Sequence, residues 1–173
     1  MLEIKNVEPE IAIVKPIVLN EGQSTTFFIE FIDPGKDQWT IEADWGIPFP
    51  GFVTAKAELF SNAGAIRVFQ VSSPTFFDNF VSKPIPIKVK DDDGGFSIKS
   101  LEVTVLNVPP SIEPASISGF PFITVAPDSP IKISGRFSDP GVFDDHTGEV
   151  VVLKSRKSRA LKIDKNEFSL DPP

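Results

Sequence analysis

The feature that most constrains this chain is the two-residue period of its apolar positions. In Trp39-Thr40-Ile41-Glu42-Ala43-Asp44-Trp45, the residues Trp39, Ile41, Ala43 and Trp45 fall on one face and the polar residues on the other. A segment that alternates in this way fits a β-strand with one side on a core and one in water. Helical periodicity is nearly absent elsewhere. Short runs rich in Val, Ile, Phe and Thr instead recur between turn signals, at residues 11–14, 24–32, 52–60, 65–72, 83–90 and 96–105.

Together these runs make seven strands between residues 6 and 106, the number and length expected of an antiparallel, immunoglobulin-like β-sandwich. The fold class is therefore all-β. Two details refine the expectation. Pro84 and Pro86 lack donors on one side of their strand, so full pairing there should begin near Ile87. Phe96 and Ile98 are out of phase with Leu101, Val103 and Val105, which a bulge near Lys99-Ser100 would reconcile.

The chain also repeats itself. Asn6-Val7-Glu8-Pro9 returns as Asn107-Val108-Pro109-Pro110, and Phe31-Ile32-Asp33-Pro34-Gly35 as Phe137-Ser138-Asp139-Pro140-Gly141. The offsets are 101 and 106 residues, so the second copy carries five extra residues between its markers, placed around 119–122. After Asp-Pro-Gly, Asp37-Gln38-Trp39-Thr40 faces Asp145-His146-Thr147. Two ordered markers at matching spacing indicate tandem units: a complete sandwich over 6–106 and an incomplete one over 107–173. The second unit has no match to Asp44-Trp45-Gly46 and is shorter than the roughly 100 residues of a full sandwich. It either stops mid-domain or folds 160–170 back as substitute strands. With open sheet edges it should be the less stable half.

Composition narrows the function classes. A net charge of −7 disfavours a nucleic-acid partner and suits divalent cations. There is no cysteine, which excludes disulfides, thiolate metal sites and a cysteine nucleophile. The N-terminal residues form no signal-type apolar region, and no run approaches the roughly 20 apolar residues of a membrane span.

Glu21-Gly22, Asp33-Pro34-Gly35, Asp44-Trp45-Gly46, Asp91-Asp92-Asp93-Gly94-Gly95 and the exit Asn107-Val108-Pro109-Pro110, in this order, resemble PKD-type immunoglobulin-like repeats of large bacterial surface and secreted proteins. The resemblance covers residues 6–106 and the first third to half of a second unit. It departs at Ile47-Pro48-Phe49-Pro50-Gly51, where the family continues into a second Asp-Gly, and a cadherin-like relative stays open. The resemblance implies a non-catalytic extracellular or cell-surface module, a spacer or adhesion segment among neighbouring repeats. The alternative is an accessory carbohydrate- or protein-binding module of a secreted hydrolase. Partners would then be neighbouring repeat domains, a cell-surface protein or a polysaccharide.

In such a sandwich the B–C and F–G loops share one end, which gathers Asp33, Asp37, Asp91, Asp92 and Asp93. Five carboxylates repel unless a cation or solvent separates them, and Ca²⁺, a hard ion taking 6–8 oxygens, suits such loops. Asp139, Asp144 and Asp145 repeat the B–C half in the second unit, and Glu21 could contribute across the junction. The competing reading is a set of solvated turns, because Asp-Asp-Gly-Gly and Asp-Pro-Gly are strong turn sequences and no EF-hand spacing occurs.

His146, the only histidine, lacks a Gly-x-Ser-x-Gly elbow or partnered nucleophile and is assigned to lining the second B–C loop. An Asp33/Asp91 glycosidase pair lacks any visible cleft. One of Trp39 and Trp45 should be the core tryptophan of strand C, the alternative being a sugar-stacking platform. Phe76, Phe77 and Phe80 either plug one end of the sandwich or form a contact surface. The basic run 154–159 reads as a solvated hairpin.

Overall fold

The computed structural model describes residues 5–46, 51–114, 132–152 and 156–170. The chain divides into two compact units, Met1–Asn107 and Val108–Pro173. No helix among the described residues is long and apolar enough to cross a membrane.

Unit 1 contains β1 (Glu10–Val14), β2 (Ile17–Asn20), β3 (Thr26–Ile32), β4 (Trp39–Ala43), β5 (Val53–Thr54), β6 (Lys56–Ala63), β7 (Ile66–Ser72), β8 (Phe80–Asp91) and β9 (Phe96–Leu106). One sheet runs β1-β3-β7-β6 and the other β2-β9-β8-β4-β5. In immunoglobulin lettering these are A-B-E-D and A′-G-F-C-C′, so the unit is an immunoglobulin-like β-sandwich. Every pair is antiparallel except β2 with β9, which is parallel. The chain changes sheets at Lys15-Pro16, where proline cannot donate to β3 and pairing with it stops. The alternation pattern misses β2 because it is four residues long and buries only Leu19.

The core lies between the sheets. Phe27, Ile29 and Phe31 of β3 and Phe69 and Val71 of β7 face Ile41 and Ala43 of β4, Ile85, Ile87 and Val89 of β8, and Leu101, Val103 and Val105 of β9. Trp45, at 6% exposure, is the buried tryptophan and meets Phe27 and Phe76 edge-on, while Phe76 in turn meets Phe80. Phe76 and Phe80 thus plug this end, whereas Phe77 is exposed.

Two register expectations need correction. The β8–β9 ladder runs through both prolines, pairing Pro84 with Glu102 and Pro86 with Ser100; only the β4 side begins at Ile87, opposite Ala43. The prolines turn their missing donors away from β9. No irregularity occurs near Lys99-Ser100. The phase change is absorbed by leaving Phe96 and Ile98 on the solvent face, and the ladder instead shifts between Phe80 and Lys83, where Ser82 has φ +47°.

Unit 2 contains β10 (Ser111–Ile112), β11 (Ile133–Ser138), β12 (Glu149–Val152), β13 (Lys157–Ala160), β14 (Lys162–Asp164) and β15 (Glu167–Leu170). Its larger sheet runs β10-β11-β15-β14, the A-B-E-D order of unit 1, and β12 pairs with β13 as a C–C′ hairpin. The residues expected to act as substitute strands, 160–170, are therefore the end of C′ followed by D and E in their ordinary places. The five-residue insertion placed around 119–122 lies outside the described residues, as does part of the basic run 154–159. Its remainder is exposed, Arg156 in the turn and Lys157, Ser158 and Arg159 within β13.

Candidate functional site

Strand register brings the acidic loops of unit 1 together. Trp39, the first residue of β4, pairs with Asp91, the last of β8, so the β3–β4 and β8–β9 loops must adjoin. Carboxylate oxygens of Asp33, Asp37 and Asp91 all lie within 4.8 Å of one another, and so do those of Asp37, Asp92 and Asp93. Asp37 belongs to both groups. Loss of hydration, then the charges of Asp33, Asp92, Asp93 and Asp91, push its carboxyl above the ordinary 3.8.

The two innermost carboxylates act as loop clasps. Asp33 is wholly buried: its Oδ1 accepts the Gly35 N–H at 2.8 Å, an Asx turn, and its Oδ2 accepts the Trp39 indole N–H at 2.7 Å. Asp91, 3% exposed, accepts the Gly95 N–H on Oδ1 at 2.7 Å and the Asn6 side-chain amide on Oδ2 at 2.8 Å. Gly95 is required by close approach, since a Cβ there would lie 2.6 Å from Asp91 Oδ2. Buried Arg67 binds the Gly35 carbonyl at 2.9 Å and stacks 4.8 Å over Trp39, placing one positive charge at this loop. Asp92 and Asp93 are exposed, with Asp92 accepting the Gln38 N–H at 3.2 Å.

Unit 2 rebuilds the first clasp with a different ring. Asp139 Oδ1 accepts the Gly141 N–H at 2.8 Å, and Oδ2 lies 2.9 Å from His146 Nε2. Phe31 packs edge-on against Trp39 at 5.7 Å, and Phe137 tilts against His146 at 4.7 Å. His146 therefore stands where Trp39 stands, Thr147 where Thr40 stands and Glu149 where Glu42 stands. The backbone confirms the register, because Ala55 N bonds Ile41 O at 2.8 Å and Leu161 N bonds Gly148 O at 2.9 Å. Asp144 has a carboxylate oxygen within 4.8 Å of one on Asp139, whereas exposed Asp145 joins no acidic group among the described residues.

Sequence reasoning placed the carboxylates but missed Asn6, Arg67 and the ring N–H that closes each clasp. The available signal was an aromatic or imidazole ring six or seven residues after the Asp of Asp-Pro-Gly. The tryptophans offer no open platform. Trp45 is in the core, and Trp39 is half-buried, with its N–H donated and its ring beneath Arg67.

No family model and no curated protein matches the chain. Among solved structures, it is similar to the BIgI domain of beta protein from S. agalactiae (15% identity, TM-score 0.38, covering 59% of this chain and all of that one). A titin I-band fragment, I67–I69, gives 14% identity and a TM-score of 0.39, covering 97% of this chain and 56% of that one. The IG1+IG2 pair of DIP-gamma gives 9% identity and a TM-score of 0.43, covering 96% and 84%.

Proposed function

We propose that this chain is a non-catalytic, tandem immunoglobulin-like segment of an extracellular or surface protein, acting as spacer and adhesive module. The carrying observation is that one structural plan is built twice, down to the Asp–Gly–ring clasp at the B–C loop. Duplicated sandwiches of this kind extend a chain and present surfaces. The titratable groups that converge in unit 1 are carboxylates, and the sole histidine is engaged in a loop clasp. The finer assignment to PKD-type repeats rests on the ordered motifs of the sequence.

The acidic end of unit 1 suits Ca²⁺, with Asp37, Asp92 and Asp93 supplying oxygens and Asp33 and Asp91 sharing lone pairs they also use toward loop N–H groups. A contact surface for a protein partner is available on the outer face of the β1-β3-β7-β6 sheet. There Phe28 and Phe60 stack edge-on at 5.1 Å and, with Ile32 and Ile66, stay exposed.

Both tryptophans lie in unit 1, so tryptophan emission follows its unfolding alone. Millimolar Ca²⁺ should raise the melting temperature of unit 1, and Asp37→Asn with Asp93→Asn should remove the rise. These residues are chosen because Asp91→Ala would break a clasp whether or not an ion binds. Identical melts in Ca²⁺ and chelator would discard the cation. Phe28→Ser with Phe60→Ser should reduce attachment of protein-coated beads to cells, and unchanged attachment would discard the adhesive face.

A further inference from the structure

In unit 1, β1 covers only part of its neighbour. It pairs with β3 from Glu10 opposite Ile32 to Val14 opposite Ile29, and the chain then leaves for the other sheet at Lys15-Pro16. Thr26, Phe27 and Phe28 pair with Ser72, Val71 and Gln70 of β7 on one side and have no ladder partner on the other. Where β1 departs, a cavity of about 310 Å³ opens, walled by Lys15, Ile17, Phe27, Phe28, Glu30 and Val68. Its two charged walls are of opposite sign. Neither the Lys15 ammonium nor the Glu30 carboxylate has a hydrogen-bond or ion-pair partner among the described residues.

We propose that this notch binds an extended peptide segment of a partner protein, which takes up the line that β1 abandons. The open edge sets the backbone: the segment runs antiparallel to β3, as β1 does, and pairs along Thr26–Phe28. The walls set the side chains. An apolar residue enters the cavity, a basic residue meets Glu30 and an acidic one meets Lys15, all on one face at alternate positions. Main-chain bonds supply affinity, and the apolar and charged positions supply selectivity. The edge favours a peptide over a saccharide, because a peptide matches the alternating donors and acceptors of a strand. Phe28 also belongs to the exposed Phe28–Phe60 face, so the inference rests on the adhesive reading and gives its partner a chemistry.

The probe is a labelled, end-blocked peptide of sequence Lys-Val-Phe-Val-Asp, titrated into the full chain and followed by fluorescence anisotropy. Saturable one-to-one binding is expected, with slower amide exchange inside Thr26–Phe28 and unchanged exchange in β6. Glu30→Lys in the chain should weaken binding about threefold, and glutamate in place of the peptide's lysine should restore it. Lys15→Glu, with lysine in place of the peptide's aspartate, makes the second swap. Lys15 is exposed and Glu30 half-buried, and neither side chain holds a partner among the described residues, so these variants keep the fold.

Absence of saturation overturns the proposal, as does a charge swap without mutual rescue. Binding that leaves exchange at Thr26–Phe28 unchanged puts the peptide elsewhere and overturns it too. Tighter binding of a neutral oligosaccharide assigns the notch to sugars, and self-association that excludes the peptide assigns it to a second copy. Phe60 is not a wall of the notch, so attachment of coated beads separates the two readings. Peptide binding absent while attachment still falls in Phe60→Ser removes the notch alone, and failure of both removes the adhesive face as well.

Discussion

Removing the Asp33 carboxylate tests the loop architecture of unit 1 most directly. In Asp33→Ala the Gly35 N–H and the Trp39 indole N–H lose acceptors at 2.8 and 2.7 Å, in a position from which water is excluded. A hydrogen bond to a charged acceptor contributes about 1.5–3 kcal/mol, and a stranded buried donor costs a similar amount. Against this, the variant removes one of five clustered negative charges, and Trp39 is only half-buried. The net loss should be about 3 kcal/mol, or a fall in melting temperature on the order of 15 °C for a domain of this size. Urea unfolding followed by tryptophan emission reads unit 1 alone, and Trp45 remains as reporter when Trp39 is replaced. A double-mutant cycle with Trp39→Phe should give a coupling of about 1.5 kcal/mol for the indole bond. A coupling below about 0.5 kcal/mol would show that the carboxylate does not hold the ring, and the clasp argument for both units would fall with it.

Gly95→Ala should destabilise unit 1 by about 1–3 kcal/mol, because the new Cβ meets Asp91 Oδ2 and Asn6; urea midpoints compare it with the parent. Asp37→Asn should raise the melting temperature at neutral pH. Its carboxyl is held above the ordinary 3.8, so ionising it in the folded state costs stability as pH rises through that raised value. The benefit should vanish below about pH 3.8, where the carboxyl is protonated folded and unfolded, and a benefit independent of pH would contradict this cause. Phe76→Ala should cost about 3–5 kcal/mol, since its ring bridges Trp45 and Phe80, and should shift Trp45 emission. In unit 2, Gly135→Ala should lose about 1–3 kcal/mol against the Phe168 ring, read as faster amide exchange in β11 and β15.

The sequence by itself determined the all-β class, the strand faces and the duplication. Two-residue alternation encodes which side chains turn inward, and Asp-Pro-Gly marks the same turn in each copy. It also predicted Asp33, Asp37, Asp91, Asp92 and Asp93 at one end, once the seven strands were read as a sandwich whose B–C and F–G loops adjoin. Short or phase-shifted elements were illegible. β2 shows too few apolar positions to register, and exposed Phe96 and Ile98 imitate inward ones. Only the tertiary structure divided the carboxylates into two buried clasps and three outer groups, because the partners of Asp91 include Asn6, 85 residues away. It alone aligned His146 with Trp39 and Gly148 with Ile41, across copies whose sequences no longer agree. Local pattern records the face on which a residue lies, whereas pairing across the sheet decides what it meets there.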